Sequence, residues 1–166
     1  SLLYVFMADL GISPGLMGLI SATNTATQVP AILLFGWLAD RLGRRRIFML
    51  GFLLSAVTPL FFIAASNAMG MAAGYFTLAL SFSSLYVGSA AHIGDRVPEH
   101  RHGQMLGLYE SSRGLGGVFG PMLAGALVPA IGFNGMFWVM AGIVLLGFMV
   151  MIFGNTVLGR RITGSS

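Results

Sequence analysis

Apolar residues in this sequence come in runs far longer than a buried helix of a soluble domain needs, and polar residues gather in the short intervals between them. Five runs reach the roughly 20 residues that cross a hydrocarbon core of about 30 Å at about 1.5 Å per residue. They cover residues 15–39, 47–65, 69–93, 103–129 and 135–157. Gly11, Pro14, Asn67, Pro98, Gly132 and Asn134 punctuate the intervals, and connections this short turn each helix back beside its predecessor. The opening stretch 1–8 is apolar from Leu2 onward with no basic leader, so it reads as the last two turns of a further helix rather than as a signal peptide. The expectation is an all-α membrane bundle over residues 1–158, with six crossings of which the first is truncated, and a polar tail at 159–166.

Composition agrees with the pattern. The chain is 56% hydrophobic and 8% charged, with a mean hydropathy of +0.86, where an ordinary soluble domain carries about 25% charged residues. Such a chain cannot cover itself with polar surface. It has no cysteine, which excludes a disulfide framework and a thiolate metal site. Apart from Glu110, no converging set of His, Asp and Glu lies inside the runs, so neither a metal, a cofactor nor an intramembrane active site is expected.

The net charge of +4 acquires meaning from its placement. Lysine is absent, and eight of the nine arginines flank helix ends on one side. Arg41, Arg44, Arg45 and Arg46 follow the second crossing, Arg96 and Arg101 follow the fourth, and Arg160 and Arg161 lie in the tail. The positive-inside rule assigns that side, and both chain ends, to the cytoplasm. Basic residues held within a few positions of membrane spans argue against a nucleic-acid surface.

Several polar positions fall inside the spans. Ser21, Asn24, Thr25 and Gln28 recur at i, i+3, i+4 and i+7 and share a face. Amides at mid-depth either bond between helices or line a watery cavity, and both readings stand. Pro30, just beyond, is expected to kink the helix. Thr77, Ser81, Ser84 and Gly88 form a second stripe at i, i+4, i+7 and i+11, which either lines a cavity or lets helices pack closely, and Tyr4 and Tyr75 are further cavity candidates. Glu110 and Arg113 are three apart on one face, and two charges within a span are expected to form a buried ion pair. That pairing disfavours Glu110 as a proton carrier. His92, near Asp95 at a helix end, reads as an interfacial histidine, and the methionine-rich stretch 136–151 as lipid-facing filler. The glycine pairs 70/74, 103/107 and 116/120 have the spacing of close helix crossings.

The run Gly36, Trp37, Leu38, Ala39, Asp40, Arg41, Leu42, Gly43, Arg44, Arg45, Arg46 resembles the signature of the major facilitator superfamily. Gly116, Gly120, Pro121 and Gly125 resemble the glycine-proline motif of that family's antiporter branch, with Ala124 departing from the glycine usual there. The resemblance implies a six-helix half of a transporter with a three-plus-three inverted repeat. An internal echo fits it: Asp40, Arg41 and Arg46 match Asp95, Arg96 and Arg101 in spacing, and Gly18 and Leu19 match Gly107 and Leu108. It also implies a cytoplasmic latch for Asp40, Arg41 and Arg44, made and broken between transport states. Gly36 and Gly43 would permit the close approach such a latch needs. Tyr75 stands where the first half of family members usually has an arginine, which points to the second half.

The function implied is secondary active transport of a small solute by alternating access. The partners implied are that solute, a coupling proton, the bilayer and the other half of the transporter. A transporter-like receptor or scaffold is the alternative, since fold does not fix function.

Overall fold

The computed structural model describes residues 2–163; the side chains of residues 91, 92, 94–96, 151 and 153–163 lie outside that description, and with them the expectations for His92, Asp95, Arg96, Arg160 and Arg161. Five helices follow one another: α1 Leu2–Asp9, α2 Pro14–Leu42, α3 Arg44–Ala64, α4 Ala68–Arg96 and, after the 3-10 turn Glu99–Arg101, α5 His102–Thr163. At 62 residues α5 is not one straight rod, because Gly132 (φ 70°, ψ 175°) leaves helical geometry and divides it into two limbs. Two separate spans, 103–129 and 135–157, were expected here. Pro129 and the Asn134 region stay helical, so the break narrows to a single glycine, and the helix extends through Thr163 into the stretch expected as tail.

Local chemistry sets the other boundaries. Extended Ser13 precedes Pro14, whose fixed φ suits a first helical position. α2 continues through Pro30. Gly43 alone separates α2 from α3, at φ 94°, and donates its N–H to the Ala39 carbonyl. A side chain at that φ would be strained, so glycine is required here for its backbone freedom. A Cβ on Gly36 or Gly43 would meet nothing within 4 Å, so the close approach expected at these two positions is not made among the described residues. Asn67 caps α4, its Oδ1 accepting the Gly70 N–H at 2.9 Å.

Three helical runs among the described residues are both long and apolar enough to cross a bilayer: Arg44–Ala64, Ala68–Ala90 and Glu99–Val150. α2 has 29 residues, ample length, but its amide and hydroxyl face dilutes its apolarity. α4 is central to the bundle. It packs most extensively on α3 and next on α2, whereas α2 and α3 touch little despite their one-residue connection. The α3–α4 approach is close at Gly51 and Gly88, where an added Cβ would stand 2.8 Å from Leu85 and 2.7 Å from the Phe48 Cα.

Two apolar clusters hold the ends of the bundle. One gathers Phe6, Met7, Met17, Ile20, Phe62, Met71, Tyr75, Met136 and Phe137 near the α1–α2 and α3–α4 connections. Met136 is therefore a core residue rather than lipid-facing filler, because the break at Gly132 turns it toward Phe62 and Met71; Met140 and Met149 are exposed. The other cluster gathers Ala31, Phe35, Ala39 and Ile47 near the arginine-bearing turn. Between them lies a layer where α2, α3 and α4 all present polar groups.

Candidate functional site

The polar layer follows from mid-depth energetics: with no water at hand, each amide and hydroxyl must find a partner across or along a helix. Asn24 Nδ2 donates to the Tyr75 carbonyl at 3.1 Å. A carbonyl only accepts, so Asn24 turns its Oδ1 the other way, where it accepts from Gln28 Nε2 at 2.6 Å. The Gln28 carbonyl in turn receives the Ser83 hydroxyl at 3.4 Å. Asn24 and Gln28 are half-buried and Thr25 is exposed. The Ser21 hydroxyl is buried without a hydrogen-bond partner among the described residues.

The α4 stripe faces inward. Ser84, fully buried, donates to the Ile47 carbonyl at 2.7 Å; Thr77, also buried, donates to Ala73 of its own helix at 2.9 Å. Ser81 shares a short hydrogen bond with Ser55 and donates to the Gly51 carbonyl at 3.4 Å. Tyr75 is buried edge-on against Phe62 at 5.8 Å, and Tyr4 is exposed.

A cavity of about 530 Å³ opens between α3, α4 and both limbs of α5, with Leu2 and Leu3 of α1 at its edge. Its wall is almost wholly apolar, and its polar points are Ser55, Thr58 and Ser81. It unites Ser81 of the expected stripe with Gly120 and Pro121 of the glycine-proline motif, and Ala124, the departure from that motif, lines it too. Sequence reasoning passed over Ser55 and Thr58. The signal was present in Gly51, Ser55 and Thr58 at i, i+4 and i+7, the spacing that marked α2.

The rest of the motif borders open space. A Cβ on Gly116 or Gly120 would meet nothing within 4 Å, and on Gly125 only Leu2 at 3.9 Å. Glu110 and Arg113 do pair, with Arg113 Nε and Nη2 at 2.9 and 2.7 Å from Glu110 Oε2. Yet their side chains are 43% and 49% exposed, so within this chain the pair is not buried as expected. One helix carries both residues on its outer side, and among the described residues the inward tie is Arg113 over the Phe82 ring at 5.5 Å.

At the α2–α3 turn, Arg41 stacks on Trp37, its guanidinium carbon 4.1 Å from the ring centroid. Asp40, Arg45 and Arg46 are exposed, and among the described residues Asp40 has neither an ion-pair nor a hydrogen-bond partner. A carboxylate at a helix C-terminus opposes the helix dipole by about 0.3 to 1 kcal/mol. Among the described residues no ion pair or hydrogen bond offsets it.

Comparison with known proteins accords with this architecture. Residues 1–163 match the Major Facilitator Superfamily. Multidrug resistance protein MdtL of Escherichia coli O157:H7 (strain EC4115 / EHEC) is 27% identical over 151 residues, which are 90% of this chain and 39% of that protein. Its counterpart in Shigella flexneri serotype 5b (strain 8401) is 26% identical over the same extent. The chain thus spans well under half the length of these relatives. Helices of bilayer length, a polar layer at mid-depth and a match along nearly the entire sequence lead to one assignment: the chain is an integral membrane protein of the Major Facilitator Superfamily, a family of transporters rather than enzymes.

Proposed function

We propose that this chain is one half, the second, of a secondary active transporter that moves a small solute by alternating access and exports it in exchange for a proton. In this reading α1 ends the first crossing, α2 to α4 are the next three, and the limbs of α5 are the last two, arranged as a three-plus-three inverted repeat. The arginine-bearing turns face the cytoplasm. The solute lies between this half and its partner, against Ser21, Asn24, Thr25 and Gln28 of α2, with Thr77, Ser81 and Ser84 of α4 behind them. The multidrug designation of the MdtL relatives supports an amphipathic solute, as do the neutral polar groups of the α2 face; the cavity between α3, α4 and α5 is a separate space that no residue of α2 lines. Glu110 and Arg113, exposed here and too costly to face lipid, would meet the partner half or the aqueous pathway. Gly116, Gly120, Pro121 and Gly125 would give the two halves a smooth surface on which to rock.

The observation that carries this reading is the state of Asp40. It is an exposed carboxylate at the unfavourable end of α2, unpartnered among the described residues, while neighbouring Arg41 is engaged with Trp37. A partner on the other half, present in one transport state and absent in the next, explains its presence. Gly36, Gly43 and Arg44 complete the gate around it. The test is Asp40→Asn in the full-length protein, reconstituted in vesicles. Turnover should fall at least tenfold with solute binding and elution profile kept. Unchanged turnover would remove the gate, and a wild-type protein that moves nothing across a broad solute panel would leave a receptor or scaffold instead.

A further inference from the structure

The bonds of the polar layer fix which way each amide points, and with it the chemistry left over for a solute. They start from the Tyr75 carbonyl, which can only accept. Asn24 therefore gives its Nδ2 to that carbonyl at 3.1 Å and turns Oδ1 along α2, where this oxygen can only accept in its turn. Gln28 has to meet it with a donor, and Nε2 does so at 2.6 Å. Two amides in series thus pass the polarity of one backbone carbonyl along the helix. At the far end Gln28 is oriented, with Nε2 toward Asn24 and Oε1 as the atom turned away.

Gln28 Oε1 has no hydrogen-bond partner among the described residues. Nor is it shut in, because the Ser21 hydroxyl is the one buried side-chain atom without a partner among them. An acceptor that is both unpaired and reachable thus stands at the middle residue of the 29 in α2, and transporters built from inverted repeats hold their solutes near the bilayer midplane. Thr25, exposed on the same face, has no hydrogen bond among the described residues either. No charged residue occurs at positions 14–39 of α2 or 68–91 of α4.

We infer that Gln28 is a specificity-determining residue whose Oε1 accepts a hydrogen bond from a neutral solute bearing a hydroxyl or an amide N–H, and that Asn24 is the positioning residue that keeps Oε1 turned to it. The inference rests on the reading of the α2 face as the one the solute meets. A carboxylate or phosphate would approach the negative end of the amide dipole with no cation at that depth of either helix to offset it. An ammonium could donate, yet neither helix supplies a carboxylate there to offset its desolvation. A hydrocarbon or an ether would displace water from Oε1 and leave it unpaired, a loss of about tenfold in affinity, the equivalent of about 1.4 kcal/mol.

The test uses two probes that differ by one donor, 1-naphthalenemethanol and its methyl ether. Each is bound to the full-length protein in nanodiscs and measured by equilibrium dialysis against empty nanodiscs. We expect the alcohol to bind the parent protein about tenfold more tightly than the ether, and the ratio to fall below about twofold in Gln28→Leu. Asn24→Leu keeps Gln28 but frees its amide to turn, so the ratio should fall there too, while affinity for the ether changes less than about twofold. A loss of packing alone would weaken both probes alike and leave the ratio standing. If either leucine variant does not fold, Gln28→Met and Asn24→Ala make the same comparison. Equal affinity for both probes in the parent protein, or a ratio that survives in a folded variant at either position, overturns the inference and leaves the transport reading as it was. A protein that binds neither probe overturns it too, and movement of any solute of the broad panel into vesicles then decides the transport reading separately.

Discussion

Single residues in this chain are constrained by two different demands, and glycine shows both. Gly43 and Gly132 supply backbone angles, φ 94° and 70°, that join one helix to the next. Gly88 supplies space, since its missing side chain lets the backbone of Phe48 come within 2.7 Å of where a Cβ would be. Backbone atoms cannot step aside as a flexible side-chain tip can, so Gly88→Ala should destabilise the protein by about 1 to 3 kcal/mol through overpacking between α3 and α4. Gly142→Ala, at an exposed position with nothing within 4 Å, should be neutral or slightly stabilising because alanine favours the helix. Thermal unfolding of both variants in one detergent checks this, and equal melting temperatures would refute the close contact. Sequence spacing pointed to the Gly70/Gly74 crossing, where Gly74 does lie under Phe62. It marked Gly88 only as the end of the α4 stripe and passed over Gly51, because a contact between helices leaves no mark when its two sides are more than thirty residues apart.

At the scale of the element, helix ends were legible in the sequence and helix faces only partly so. Breakers act locally: Pro14 opens α2, Asn67 caps α4 with its own side chain, and Gly132 divides α5, each for reasons contained within a few residues. A polar stripe states only that a face avoids lipid. The α4 stripe became Ser84 bonded to the Ile47 carbonyl and Ser81 paired with Ser55, and these partners belong to α3, a helix whose own hydroxyls drew no notice. The α2 amides found a backbone carbonyl, that of Tyr75, which no side-chain pattern encodes. Asn24 is therefore the pivot of its chain, donating to Tyr75 and accepting from Gln28. Asn24→Leu should cost more than Gln28→Leu, since it breaks two bonds and leaves the Gln28 amide unpaired. The coupling from the double-mutant cycle should lie at about 0.2 to 0.5 kcal/mol, the range for side-chain pairs four residues apart on one helix. A coupling of zero by unfolding in detergent or bicelles would mean that the two amides do not share a bond.

At the scale of the whole molecule, the distribution of charge and the order of helices make a joint claim about the membrane. Arg41 to Arg46 cluster at the α2–α3 turn and Arg101 closes the connection between α4 and α5, while the connections at residues 10–13, 65–67 and the Gly132 break carry no arginine. If each helix crosses once, those two groups of connections lie on opposite sides, the arginine-bearing ones in the cytoplasm. A direct test uses the full-length protein with any cysteine outside this cysteine-free chain replaced. Cysteine placed one at a time at Arg45, Glu99, Ser66 and Asn134 can be challenged in intact cells with a maleimide that does not cross membranes. Ser66→Cys and Asn134→Cys should label from outside. Arg45→Cys and Glu99→Cys should label only after the membrane is opened, and replacing one of several arginines leaves the charge bias in place. The Asn134 result decides most, because it shows whether the first limb of the 62-residue helix crosses before the break at Gly132. Labelling of Asn134→Cys from outside, with residues 99 and 45 protected, puts that break on the outer side. From there the second limb comes back beside α3, where Phe137 stacks on Phe62 and Phe148 meets Phe52.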